Sequence, residues 1–297
     1  MADIETGASP HVGESKFRPA HVEARDAERT ITTPQTQSKA YKLAFQDDEF
    51  LLRPDLRPVR FQLELLKTEL LLDEARISST FVFYGSARIP EPEVAQELIE
   101  AARTDEERKV AQRLAAKAKY YDEARKLARI AAQFPVNEEG CRHFVVCSGG
   151  GPSIMEAANR GAADVGAQTI GLNIVLPHEQ NPNPYVTPEL SFQFHYFALR
   201  KMHFTLRARA LAVFPGGFGT FDEFFELLTL VQTGKMKAIP ILVFGKDFWT
   251  RVVNFDALAE EGVISPRDLD LISWVETAEE AWEAVERFYV DTETPGC

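Results

Sequence analysis

Three short apolar runs, TFVFY at 80–84, HFVVC at 143–147 and ALAVF at 210–214, are each followed at once by a glycine loop. The loops are GS at 85–86, SGGG at 148–151 and PGGFGT at 215–220. An apolar run without alternation has no solvent face, so each is read as a strand buried on both sides. Strands of this kind alternating with helices require a parallel sheet covered on both faces. The expected fold is α/β, a Rossmann-like doubly wound parallel sheet with helices on both faces. Further strands are expected at 168–175, 191–195, 239–244 and 272–275. Helices are expected at 59–76, 197–209, 221–232, 247–261 and 278–289. In such a sheet the loops after the strands converge on the carboxyl edge, where ligands bind.

Residues 1 to about 40 are rich in Pro, Thr, Ser, Glu and Arg and lack apolar periodicity, which predicts a disordered tail. A single Rossmann-like domain is expected over 41–297. Its first helix, 59–76, groups Leu63, Leu66, Leu70 and Leu71 on one face. From about 90 to 135 the composition turns to Ala, Arg, Glu and Lys, strong helix formers, which predicts a helical insert of two helices broken near Thr104.

Charge and composition exclude several classes. With 33 Lys+Arg against 45 Asp+Glu the net charge is −12, a field that repels nucleic acid and anionic lipid. No apolar run approaches the ~20 residues that cross a bilayer. The N-terminus lacks the apolar core of a secretory signal. Cys141, Cys147 and Cys297 form no C-x-x-C pair, so neither a disulfide framework nor a zinc site is expected. A cytoplasmic protein without nucleic-acid or membrane partners fits these features.

The loop Pro215-Gly216-Gly217-Phe218-Gly219-Thr220 joins a strand to a helix. Glycines there let backbone N–H groups approach an anion, and the helix presents its positive end. Thr220 reads as a cap. Thr220 and Glu223 also fit a capping box, in which Glu223 would only reach back to the cap's N–H. Three glycines in four positions exceed what a cap needs. Ser148-Gly149-Gly150-Gly151-Pro152 occupies a similar junction, but it lacks the G-K-[ST] of a Walker loop and the full G-x-G-x-x-G pattern. Arg200 and Lys201 sit in an apolar, aromatic helix, where a cation either snorkels to the surface or needs an acidic or phosphate partner. His195 and His203, eight residues apart, are too far separated for one zinc-binding face.

Four segments together carry a family resemblance: GSARIP at 85–90, SGGGPSIMEAANRGA at 148–162, ALRKMHF at 198–204 and PGGFGTFDE at 215–223. The chain resembles the Lonely guy (LOG) family, once labelled possible lysine decarboxylases. The last segment matches the family signature PGGxGTxxE, and Arg200 precedes Glu223 at the family's interval. The resemblance implies a hydrolase that cleaves the N-glycosidic bond of a nucleoside 5′-monophosphate, AMP or a cytokinin riboside 5′-monophosphate. The products would be free base and ribose 5-phosphate, formed without metal or other cofactor, in a homodimer or higher homo-oligomer with the helix around Tyr196 near the contact. By position it implies that Arg200 and Glu223 are catalytic. Gly216, Gly217, Gly219 and Thr220 would bind phosphate, as would Lys201. Gly85, Ser86, Gly149, Gly150 and Gly151 would line the nucleotide pocket. Ala198 stands where the plant MHxRK motif has His, and Asp222 replaces the first Glu of GTxEE. These departures, with the N-terminal extension and insert, place the chain with longer bacterial relatives. No lysine has a recognisable pyridoxal context. Asp222, Tyr196 and solvent remain candidates for protonating the leaving base. The rival reading is a non-catalytic nucleotide sensor or carrier on the same fold.

Overall fold

Each of the three runs that precede a glycine loop becomes a strand of one all-parallel sheet in the computed structural model, which describes residues 17–177 and 181–290. In chain order the helices and strands are α1 (Ala20–Ala27), α2 (Asp48–Leu51), α3 (Arg57–Glu74), β1 (Thr80–Tyr84), α4 (Pro92–Glu100), α5 (Asp105–Ala115) and α6 (Lys119–Ala132). They continue with β2 (Val145–Ser148), α7 (Ile154–Ala163), β3 (Thr169–Ile174), β4 (Ser191–Phe194), α8 (Phe197–Leu206), β5 (Ala208–Val213) and α9 (Phe218–Gln232). The last are β6 (Ile241–Phe244), α10 (Lys246–Val252), α11 (Phe255–Glu260), β7 (Ser273–Val275) and α12 (Ala278–Tyr289).

The sheet order is β4-β3-β2-β1-β5-β6-β7. The chain therefore steps outward from β1 to β4 and returns to lay β5 against the other side of β1. The crossover reverses direction between β1 and β5, and the loops leaving these two strands diverge there, opening the crevice where α/β sheets bind ligands. The Ser86 N–H donates to the Pro215 carbonyl (3.1 Å) and ties the two loops together.

The core grows from the same apolar runs. Phe214 stacks on Phe244 with ring centroids 4.2 Å apart, and Phe83 lies 6.4 Å from Phe214. All three are fully buried, each contributing roughly 1.5–3 kcal/mol. Helices α6 and α7 each have alanine at half of their buried positions. Their close approach depends on Gly161, where an added Cβ would lie 2.1 Å from the Arg125 carbonyl oxygen.

Several expectations are corrected. The insert holds three helices, α4 to α6. Thr104 does mark a break, as the N-cap of a complete capping box with Glu107. The helix expected at 247–261 is split into α10 and α11, the second capped by Asn254. On α3, Leu63, Leu66 and Leu70 are half exposed, whereas Thr68 and Leu72 are buried. Periodicity shows which residues share a face but not which face the fold buries. By contacts the chain forms two compact units, residues 1–63 and 64–297. The described part of the expected tail includes α1, and residues 1–16 lie outside the described residues. Cys141 is disulfide-bonded, contrary to expectation, while Cys147 is free and buried. Among the described residues no helix is long and apolar enough to cross a membrane.

Candidate active site

Helix α9 begins at Phe218, three residues before its expected start, with Gly217 as an N-cap that offers no side chain. The Phe221 N–H makes the helix's first bond, to the Gly217 carbonyl (3.0 Å). The N–H groups of Phe218, Gly219 and Thr220 therefore have no acceptor among the described residues. Thr220 is the third helical residue, not the cap, and its side chain packs beneath Gly216. A Cβ at 216 would stand 2.1 Å from Thr220 Oγ1, so the turn needs glycine there. Glu223 lies in the second turn. The capping box that Thr220 and Glu223 could form is therefore absent, and the Glu223 carboxyl is released from that role.

A pocket of about 820 Å³ opens at the switch point. Gly85, Ser86, Ala87 and Arg88 line it from the loop after β1, and Gly216, Gly217, Gly219 and Thr220 from the loop after β5. Arg200 and Glu223 form its charged floor. Met155, Phe218, Phe221, Phe248 and Val252 supply an apolar wall. Sequence reasoning did not single out that wall or Arg88. Arg88 could have been noticed within GSARIP, and Phe218 as the large residue among the loop glycines. Phe248 and Val252 belong to α10, which no motif marks.

Arg200 is held from several sides. Its Nε donates to the Leu172 carbonyl (2.6 Å) and its Nη1 to Glu223 Oε1 (3.3 Å). The guanidinium lies 5.1 Å from the Phe204 ring centroid. Gly149 forms another wall, since a Cβ there would come within 2.6 Å of Arg200 Nη2. The Arg200 and Glu223 side chains keep only 11% and 15% of their exposure. Burial pushes the Glu223 carboxyl up to about 7, against the opposing pull of Arg200. Burial likewise raises the Tyr84 phenol and the Cys147 thiol well above their ordinary values, so both stay protonated. Of the pocket-lining residues, Glu223 is the group that exchanges a proton near neutral pH.

Residues 155–285 match the family described as "Possible lysine decarboxylase". Over 148 residues, covering 48% of this chain and 67% of the relative, the sequence is 27% identical to the cytokinin riboside 5′-monophosphate phosphoribohydrolase LOG3 of Arabidopsis thaliana. It is 26% identical over 153 residues to the probable cytokinin riboside 5′-monophosphate phosphoribohydrolase LOGL3 of Oryza sativa subsp. japonica, covering 48% of this chain and 68% of that one. Over about half its length the chain is a distant homologue of the LOG family. Among solved structures, the Moco carrier protein from Chlamydomonas reinhardtii is similar at 18% identity and a TM-score of 0.41, covering 72% of this chain and 98% of that one.

Some positions to which the LOG resemblance points do not face the pocket. Gly149, Gly150 and Gly151 are absent from its lining. Their loop is bound into a buried framework instead. The Gly150 N–H, at φ +70°, donates to Ser148 Oγ (3.0 Å). Asn183 donates from Nδ2 to the Gly151 carbonyl (3.0 Å) and to Asn159 Oδ1 (2.9 Å). The loop thus seats Arg200. Lys201 is also outside the lining, with Nζ 2.9 Å from both Asp222 and Glu226. Adjacent helical residues point about 100° apart, so an inward Arg200 turns Lys201 away. Asp222, held by Lys201, and half-buried Tyr196 do not line the pocket either. Buried His203 has Nδ1 3.2 Å from Glu69 Oε1. Among the described residues no group of three or more His, Cys, Asp or Glu could hold a metal ion.

Proposed function

We propose that the protein hydrolyses the N-glycosidic bond of a nucleoside 5′-monophosphate, AMP or a cytokinin riboside 5′-monophosphate, to free base and ribose 5-phosphate. One observation carries the reading. Three N–H groups without acceptors at the start of α9 and a carboxyl that ionises near neutrality open onto the same pocket. A helix start of this kind is an anion site, suited to the 5′-phosphate. An anchored phosphate leaves the ribose to reach toward Glu223, with the flat base against the apolar wall.

As the C1′–N bond breaks, its electron pair goes to the base and positive charge builds on the ribose ring. Ionised Glu223 stabilises that charge and accepts a proton from the water that attacks C1′. The departing base takes its proton from solvent, since neither Asp222 nor Tyr196 lines the pocket. Arg200 stays charged throughout. It orients Glu223 and favours the ionised form. The test is to incubate the protein with AMP and with a cytokinin riboside 5′-monophosphate and to separate free base by chromatography. Release that depends on Glu223 is expected. Tight binding without release would replace hydrolysis with the sensor or carrier role.

A further inference from the structure

We infer that Arg88, a residue outside the roles given to Arg200, Lys201 and the glycine loops, is the cation that selects a phosphate-bearing substrate. The inference rests on the reading of the pocket as a nucleoside monophosphate site. It follows from asking which positive charge remains for a phosphate dianion. The pocket lining holds three ionisable side chains: Arg88, Arg200 and Glu223. The Arg200 guanidinium is already committed to the Leu172 carbonyl and to Glu223, and Gly149 closes on its far nitrogen. Lys201 is bound by two carboxylates outside the lining. The Arg88 guanidinium is exposed and has no ion pair or hydrogen bond to any described residue.

The backbone carrying Arg88 is held in place. The Arg88 N–H donates to Ser86 Oγ (3.0 Å), and the Ser86 N–H donates to the Pro215 carbonyl (3.1 Å). This second bond joins the Arg88 loop to the residue that opens the PGGFG turn. Arg88 is thereby tethered to the same crevice as the unpaired N–H groups of Phe218, Gly219 and Thr220. Backbone N–H groups recognise phosphate oxygens by direction, and a guanidinium adds charge and a two-pronged contact. Glu223 brings negative charge into the pocket once ionised. A dianionic substrate therefore needs a cation that is not spent on Glu223, and Arg88 supplies it.

The experiment compares wild type with R88A and R88K. Exposed Arg88 bonds to no described residue through its side chain, so both variants are expected to melt as wild type does. Binding of ribose 5-phosphate is measured by calorimetry, which requires no turnover. Base release is then measured for AMP and adenosine. Wild type is expected to bind ribose 5-phosphate and R88A to bind it about tenfold to a hundredfold more weakly, the range for one charge-assisted contact. R88K should fall between them. The AMP-to-adenosine ratio of kcat/KM should drop by a similar factor in R88A, mainly through KM. Unchanged ribose 5-phosphate affinity in R88A overturns the role of Arg88 and leaves the hydrolase reading standing. Wild-type protein that binds ribose 5-phosphate but releases no base sinks the hydrolase reading alone, because the R88A binding comparison still decides the role of Arg88. Wild-type protein that binds no ribose 5-phosphate overturns both.

Discussion

Arg200 Nη1 donates to Glu223 Oε1 at 3.3 Å, yet the carboxyl it faces remains near neutrality because burial outweighs the ion pair. The two effects oppose each other on one proton. That balance gives the site a group able to change charge at physiological pH, and it makes each partner's removal informative.

Glu223→Gln should cut base release by about a hundredfold or more, the scale of lost acid–base assistance. Gln keeps the shape and can still accept from Arg200, so the fold should survive. Arg200→Ala should be as inactive at pH 7, because an isolated buried carboxyl stays protonated. Removing Arg200 moves the Glu223 carboxyl further up, so activity should partly return as the pH rises above 7 and Glu223 ionises. Steady-state rates of both variants across that range check this, and equal loss at every pH in Arg200→Ala would refute the assigned role.

For the wild type, kcat/KM should rise between pH 5 and 8 with a midpoint near 7, since the ionised carboxylate accepts the proton. Stability should move the opposite way. The folded state holds the Glu223 proton to about pH 7 and the unfolded chain only to about 4.5. Stability therefore falls as pH rises through this window, by about 3 kcal/mol at ~1.4 kcal/mol per unit. Urea denaturation at pH 8 should show Glu223→Gln more stable than wild type, with the advantage gone at pH 4. A constant difference at both pH values would contradict the perturbed carboxyl.

Gly149→Ala adds a methyl 2.6 Å from Arg200 Nη2 and 2.7 Å from Met155 Sδ. The backbone at 149 accepts alanine, so the guanidinium and the Met155 side chain must yield. Base release at pH 7 should fall about tenfold or more, and the midpoint of the pH profile should move upward as Arg200 retreats from Glu223. Lost activity with an unmoved midpoint would show that Gly149 serves packing alone.

Two glycines of the loop after β5 should respond differently. Gly216→Ala collides with Thr220 and should cost about 1–3 kcal/mol, as overpacking does. Gly217→Ala meets nothing within 4 Å and should stay within about 1 kcal/mol of wild type. Thermal melts of the two variants side by side measure the contrast, and equal losses would mean that the loop is not held by Thr220.

The sheet was legible because an apolar run with no alternation can only be buried on both faces. TFVFY, HFVVC and ALAVF therefore announced parallel strands, and the glycines after them marked the carboxyl edge. Arg200 stood out because a cation in an apolar helix needs a partner, and Glu223 because PGGFGTFDE resembles the family signature PGGxGTxxE. The linear chain could not decide which way each side chain faces. The Thr220 and Glu223 spacing fits a capping box equally well, and only the start of α9 at Phe218 removes that alternative. Gly149, Gly150 and Gly151 look like an anion loop in sequence, but Asn159 and Asn183 draw that loop into the core behind Arg200. Lys201 and Arg88 are indistinguishable as free cations until Asp222 and Glu226 are seen to claim the first. Local pattern sets which residues are apolar, charged or flexible. Long-range packing decides which neighbours satisfy them, and so which are left for a ligand.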